Sequence, residues 1–137
     1  MRTETLTVRI GAAPVVHDIT GDCARFVGAQ GSSPDGLLHV FVPHATAGVA
    51  ILETGSGSDE DLLTALDALL PTDDRWRHRH GSRGHGRDHV LPALVPPYAT
   101  LPVLDGRVQL GSWQSICLVD TNGDNPERQV RLSFLTG

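Results

Sequence analysis

Four histidines, His78, His80, His85 and His89, fall within twelve residues of this chain, and neutral imidazole is the commonest side-chain ligand for a transition metal. His78 and His80 share a face if the chain is extended there, and His85 and His89 share one if a helical turn begins. Either pair can hold an ion, yet the spacing matches no short zinc motif, and a solvated Arg/His loop is the other reading. His44 precedes Ala45-Thr46-Ala47-Gly48, small residues that leave its ring open to a ligand or to a hydrogen bond at a strand end. Glu53 is either solvated or, beside histidines, a general base or a group that orients a ligand. Gln114 carries both donor and acceptor and can orient a substrate, while its neighbour Trp113 is expected in the core or an interface.

These residues need a scaffold, and the hydrophobic pattern supplies one. Thr5 to Ile10 alternates polar and apolar residues, as a half-buried strand does. Asp18 to Gln30 carries Ile19, Cys23, Phe26 and Val27 at helical spacing. Leu37 to Val42 is a strand, followed after His44 to Gly48 by a second run, Val49 to Leu52. Ser58 and Asp61 resemble a capping box ahead of Leu62, Leu63, Leu66, Leu69 and Leu70, a helix that Pro71 stops. The spacing predicts that those five leucines bury one face. Residues 72 to 89 have no sustained period and read as an ordered, accessible loop. Asp105-Gly106 joins Leu101–Leu104 to Arg107–Leu110 as a hairpin. Ser115–Val119 and Val130–Leu135 are the last strands, and Cys117, alternating with apolar neighbours, belongs to the core. The expected fold class is α+β, an antiparallel-rich, sandwich-like sheet assembly with two helices, in one domain spanning 1–137.

Composition narrows the function. The 137 residues are 39% hydrophobic and 20% charged, a globular balance. The net charge is -5, all 11 basic residues are arginines and lysine is absent, which argues against generic nucleic-acid binding and toward bidentate contacts with small anions. Gly55-Ser56-Gly57-Ser58, entering a helix, is a place an anion could sit. No apolar run reaches membrane-spanning length, and no signal-peptide core is present. Two distant cysteines, Cys23 and Cys117, make no redox motif, and a cytoplasmic location is expected. GxxxxGK[ST], GxGxxG and HExxH are all absent, which excludes the familiar nucleotide-loop and metalloprotease assignments.

The order and spacing of His44-Ala45-Thr46-Ala47-Gly48 with Glu53, Trp76-Arg77-His78, His89, and Leu101-Pro102-Val103 through Gly106-Arg107 to Leu110-Gly111-Ser112-Trp113-Gln114 resemble the YjbQ family, also described as secondary thiamine-phosphate synthases. Leu52 and Thr54 replace the asparagines usual beside the glutamate, and His85 stands where an acidic residue is common. The resemblance implies an α+β fold, a homotrimer with Trp76, Tyr98 and Trp113 as candidate interface anchors, and a site near a subunit boundary. It implies that His44, His78 and His89 hold a divalent metal, with zinc the first choice and magnesium entering with the substrate. Glu53 and His44 would be catalytic, and Thr46 and Gln114 would contact substrate. The implied reaction joins a pyrimidine diphosphate to a thiazole phosphate. A trimeric metal- or ligand-binding protein without a reaction of its own is the alternative.

Overall fold

A computed structural model describes residues 1–137. Eight strands and three α-helices follow in the order β1 (Arg2–Arg9), β2 (Val15–Asp18), α1 (Thr20–Gly28), β3 (Gly36–Phe41), β4 (Ala47–Leu52), α2 (Ser58–Leu69), α3 (Leu91–Leu94), β5 (Tyr98–Leu104), β6 (Arg107–Val108), β7 (Ser115–Asp120) and β8 (Glu127–Thr136). A five-stranded sheet runs β1-β8-β3-β5-β6 and a three-stranded sheet runs β2-β7-β4; every pairing is antiparallel. The mixed, antiparallel-rich α+β architecture expected from the pattern is therefore the one observed.

The main core lies between the sheets and includes Phe26 and Val27 of α1, Leu38 and Val40 of β3, Ile116 and Leu118 of β7, and Leu132 and Phe134 of β8. Strand β7 is apolar on both faces because it is covered on both: Ile116 and Leu118 meet this core, while Val119 joins Leu66, Leu70, Leu91 and Val95 in a smaller one under α2 and α3. The Cys23 and Cys117 thiols are buried and free, and burial pushes each up to about 12, which removes them as nucleophiles or ligands.

Several expectations are corrected. Helix α2 begins at Ser58 itself; its cap is Gly57 at φ 100°, with no side-chain capping bond, so the Ser58/Asp61 box does not form. Its buried face is narrower than five leucines: Leu66 and Leu70 are buried, Leu62 and Leu63 are half-buried, and Leu69 is 67% exposed. Trp113 is 76% exposed and lies outside the core. Two elements had not been expected, β2 and α3. A third unexpected turn, a 3₁₀ helix over His85–His89, sits inside the predicted loop. The Asp105-Gly106 hairpin forms as expected, both residues taking the positive φ of a type I′ turn, 50° and 73°. No helix is long and apolar enough to cross a membrane.

Candidate functional site

The β3–β4 connection, the β7–β8 connection and the loop between α2 and α3 meet at one end of the three-stranded sheet. They enclose a cavity of about 400 Å³ whose lining includes His44, Thr46, His80, His85, His89 and Arg128. His78 opens onto an adjoining hollow of about 320 Å³ that shares Gly81 with the first.

The α2–α3 loop is pinned at many points. Trp76 Nε1 donates to the Pro71 carbonyl at 2.9 Å, and buried Arg87 donates to Asp67 and, at 3.1 Å, to the Leu70 carbonyl at the end of α2. Thr121 Oγ1 donates to Asp88 Oδ1 at 2.6 Å, and Ser82 donates through its backbone N and Oγ to Asp124 Oδ2 at 3.2 and 3.1 Å. The Ser82 hydroxyl thus serves a carboxylate, and the bond Ser82 shares with a histidine is a backbone one, from the His85 N–H to its carbonyl at 3.1 Å, so the Ser82 hydroxyl is not paired with an imidazole. Gly86 lets the 3₁₀ turn lie against the extended segment before it: a Cβ there would fall 2.6 Å from the His78 carbonyl oxygen and closer still to Trp76 Cβ. Gly86→Ala is expected to cost about 1–3 kcal/mol in chemical denaturation through this overpacking, and unchanged stability would show that the two segments separate freely.

That close approach gathers the imidazoles, tilted against one another. The His78 ring centroid lies 3.9 Å from His80, 3.8 Å from His89 and 5.5 Å from His85. Ligand nitrogens of His78, His80 and His85 lie within 4.8 Å of one another, and His85 Nε2 is 2.9 Å from His89 Nε2. Imidazoles on one tetrahedral zinc stand about 3.4 Å apart, so these separations bracket the required spacing. His78 Nε2 is buried with no hydrogen-bond partner, and so is His85 Nδ1, which faces Asp88 and Asp124 carboxylate oxygens at 3.4 and 3.3 Å. A carboxylate behind the outer nitrogen of a histidine is the usual way to aim its other nitrogen at a metal.

Beneath the cavity, Arg128 and Asp120 form a buried ion pair. The Asp120 carboxyl is nonetheless raised above its ordinary range, burial outweighing the hydrogen bonds from Arg128 and the Asn122 N–H. Arg128 Nη2 also donates to Thr46 Oγ1 at 2.8 Å, as does Asn122 Nδ2 at 3.2 Å.

The residues singled out from sequence divide into two groups. His78 and His89 are brought together, with His80 and His85 completing the nest, and Thr46 is on the cavity wall. His44 is on that wall too, but its Nε2 accepts the Gln129 backbone N–H at 2.8 Å, which occupies its lone pair and puts the neutral ring's proton on Nδ1. Glu53 and Gln114 are elsewhere. Register pairs Ala47 with Asp120 at the cavity and Leu52 with Ser115 at the far end, so Glu53 and Gln114, each one residue beyond, lie about 20 Å along the strands from the cavity end. Gln114 Oε1, moreover, accepts from the Gly111 N–H at 2.8 Å. Sequence reading missed Asp88, Asp120, Asn122, Asp124 and Arg128; the polar run after β7 was read only as a turn.

Burial, then the facing His80 and His85, hold His78 below the usual histidine range. Burial, then His78, His85 and His80, do the same for His89, and burial with Arg128 lowers His44. Folding therefore favours the neutral rings, and the unfolded chain takes up more protons. Stability is full above the unfolded value of about 6.5 and is lost as pH falls below it toward the lowered folded values. For metal-free protein the urea midpoint should drop between about pH 7.5 and about pH 5.5; equal midpoints would rule out this linkage.

A family model described as UPF0047 protein YjbQ-like matches residues 4–137. The UPF0047 protein Rv2556c of Mycobacterium tuberculosis is 58% identical over 137 residues, 100% of both chains. A UPF0047 protein of Archaeoglobus fulgidus is 30% identical over 126 residues, 91% of this chain and 95% of the relative. Among solved structures, hypothetical protein APE1520 from Aeropyrum pernix has a TM-score of 0.90 at 31% identity over 100% of both chains. A YbjQ-like protein of unknown function from Sulfolobus solfataricus has a TM-score of 0.91 at 25% identity, covering 99% of this chain and 97% of that one.

Proposed function

Since this chain belongs to the UPF0047 family of YjbQ-like proteins, we propose that it is a metal-assisted enzyme acting on small phosphorylated molecules, with His78, His80 and His85 holding one divalent ion, its fourth position open, and His89 beside them. The observation that carries this reading is the buried, unpartnered His78 Nε2 amid three other imidazoles, since an orphaned buried acceptor is costly unless something binds it. An all-imidazole set suits zinc; magnesium prefers oxygen ligands and would enter with the substrate's diphosphate. A bound dication would neutralise charge on a phosphorylated leaving group. His44, neutral and protonated on Nδ1, is a hydrogen-bond donor to substrate in this scheme, and Thr46 is a second contact.

Glu53 and Gln114 can serve as base and orienting group only from a neighbouring subunit, in the homotrimer that the resemblance implies. Their distance from the nest within one chain also favours the rival reading, a trimeric metal- or ligand-binding protein with no reaction of its own. Native mass spectrometry with metal analysis is expected to find three chains and one ion per chain. A turnover assay joining a pyrimidine diphosphate to a thiazole phosphate, read as released diphosphate, then separates the two readings. Metal without turnover favours the binding protein, and failure to take up any divalent ion removes the metal-assisted scheme.

A further inference from the structure

Four polar groups on one wall of the cavity have donor capacity that nothing in the chain uses. Thr46 Oγ1 accepts from both Arg128 Nη2 and Asn122 Nδ2, which fills its lone pairs and leaves its hydroxyl proton to donate. Arg128, buried to 3% exposure, gives Nε to Asp120 and Nη2 to Thr46, and its Nη1 has no partner in the chain. Asn122 Nδ2 keeps a second N–H beyond the one spent on Thr46. His44 holds its proton on Nδ1, because Nε2 accepts from Gln129. All four residues line the same cavity as His80, His85 and His89. The carboxylate on that lining, Asp124, has its Oδ2 engaged by Ser82.

We infer that His44, Thr46, Asn122 and Arg128 form a receptor for a phosphoryl group. Unspent N–H and O–H groups on a cavity wall favour an anion, the more so when one belongs to a guanidinium. The four come from separate parts of the chain, His44 and Thr46 from before β4, Asn122 from after β7 and Arg128 from the start of β8. The three terminal oxygens of a phosphoryl group can accept from all of them, whereas a planar carboxylate offers two oxygens in one plane. The inference deepens the proposed function by assigning the substrate's phosphoryl end, and it rests on that reading only in setting this group beside a metal.

The receptor is tested without metal. Inorganic phosphate titrated by calorimetry into chelator-treated protein is expected to bind saturably. Affinity should fall about tenfold or more in Thr46→Val, which removes one donor to a charged group, and return in Thr46→Ser. Acetate should bind about tenfold more weakly than phosphate, and His39→Ala, on the far face of the five-stranded sheet, should titrate as wild type. Where Thr46→Val does not fold by circular dichroism, Arg128→Lys, which keeps the charge and loses Nη1, is read instead with the same expected loss. No saturable phosphate heat, a folded Thr46→Val or Arg128→Lys that binds like wild type, or acetate equal to phosphate would each overturn the receptor. Zinc titration of the same preparations reads the histidine nest separately, so loss of phosphate binding with zinc uptake intact sinks the receptor and not the metal scheme.

Discussion

Zinc binding to the His78→Ala protein is expected to be weaker than wild type by about a hundredfold or more, measured by competition with a chromophoric chelator. Removing an outer partner of a metal ligand already costs 10- to 100-fold, and loss of a direct ligand should reach at least the top of that range. His78 is the most sensitive position because its ring lies against two others, with centroids at 3.9 and 3.8 Å, and because its Nε2 is buried without a partner. His44→Ala is the informative contrast. With its Nε2 committed to the Gln129 N–H, it offers no lone pair to an ion, and its removal should change zinc affinity by less than about threefold, the scatter of contributions outside the ligand set. Equal losses at His44 and His78 would restore His44 to the ligand set, and no loss at His78 would dissolve the nest as a metal site.

Leu66→Ala should destabilise the protein by about 2–5 kcal/mol in urea denaturation. Leu66 is 3% exposed in a five-residue core with Leu70, Leu91, Val95 and Val119, a cluster too small to close over the space a truncated side chain leaves. Leu69→Ala, at a position 67% exposed, should stay within about 0.5 kcal/mol. The effect reaches the histidines, since Arg87 is tied to Asp67 and to the Leu70 carbonyl on the helix that Leu66 seats. A Leu66→Ala loss no greater than that of Leu69→Ala would mean α2 is not packed where the structure puts it.

Strands β3, β7 and β8 and the Asp105-Gly106 hairpin were legible because alternation, continuous apolar runs and turn chemistry are local signals. Helix α1 was legible for the same reason, its Cys23, Phe26 and Val27 all buried at helical spacing. Strand β2 escaped notice because Val15–Asp18 is four residues long and is held by pairing with β7, which no local pattern reveals. Leu69, and Trp113 as a core residue, depart from the pattern for one reason: residue type gives an average tendency to be buried, whereas exposure is set by which elements pack nearby. In the site, the clustering of four histidines in sequence carried through to space, since a loop that short cannot separate them far. What sequence could not reveal was the partner of each nitrogen. His44 has its neighbour of interest 85 positions away, at Gln129, and Thr46 receives its hydrogen bonds from 76 and 82 positions away. Glu53 and Gln114 matched the expected motif, but their motif order says nothing about which end of a strand they occupy.

The anchors at Pro71, Leu70, Asp67, Thr121 and Asp124 give the histidine loop a fixed shape before any ion arrives. On the proposed metal reading such a loop would act like a macrocyclic chelator: the ordering that a floppy peptide would undergo on binding is complete once the chain has folded. Its selectivity would then come from fit, with ions of the wrong radius or coordination geometry resisted by a frame that yields little. Metal loading would also be uncoupled from folding, unlike that of small zinc modules that are unstructured without their ion.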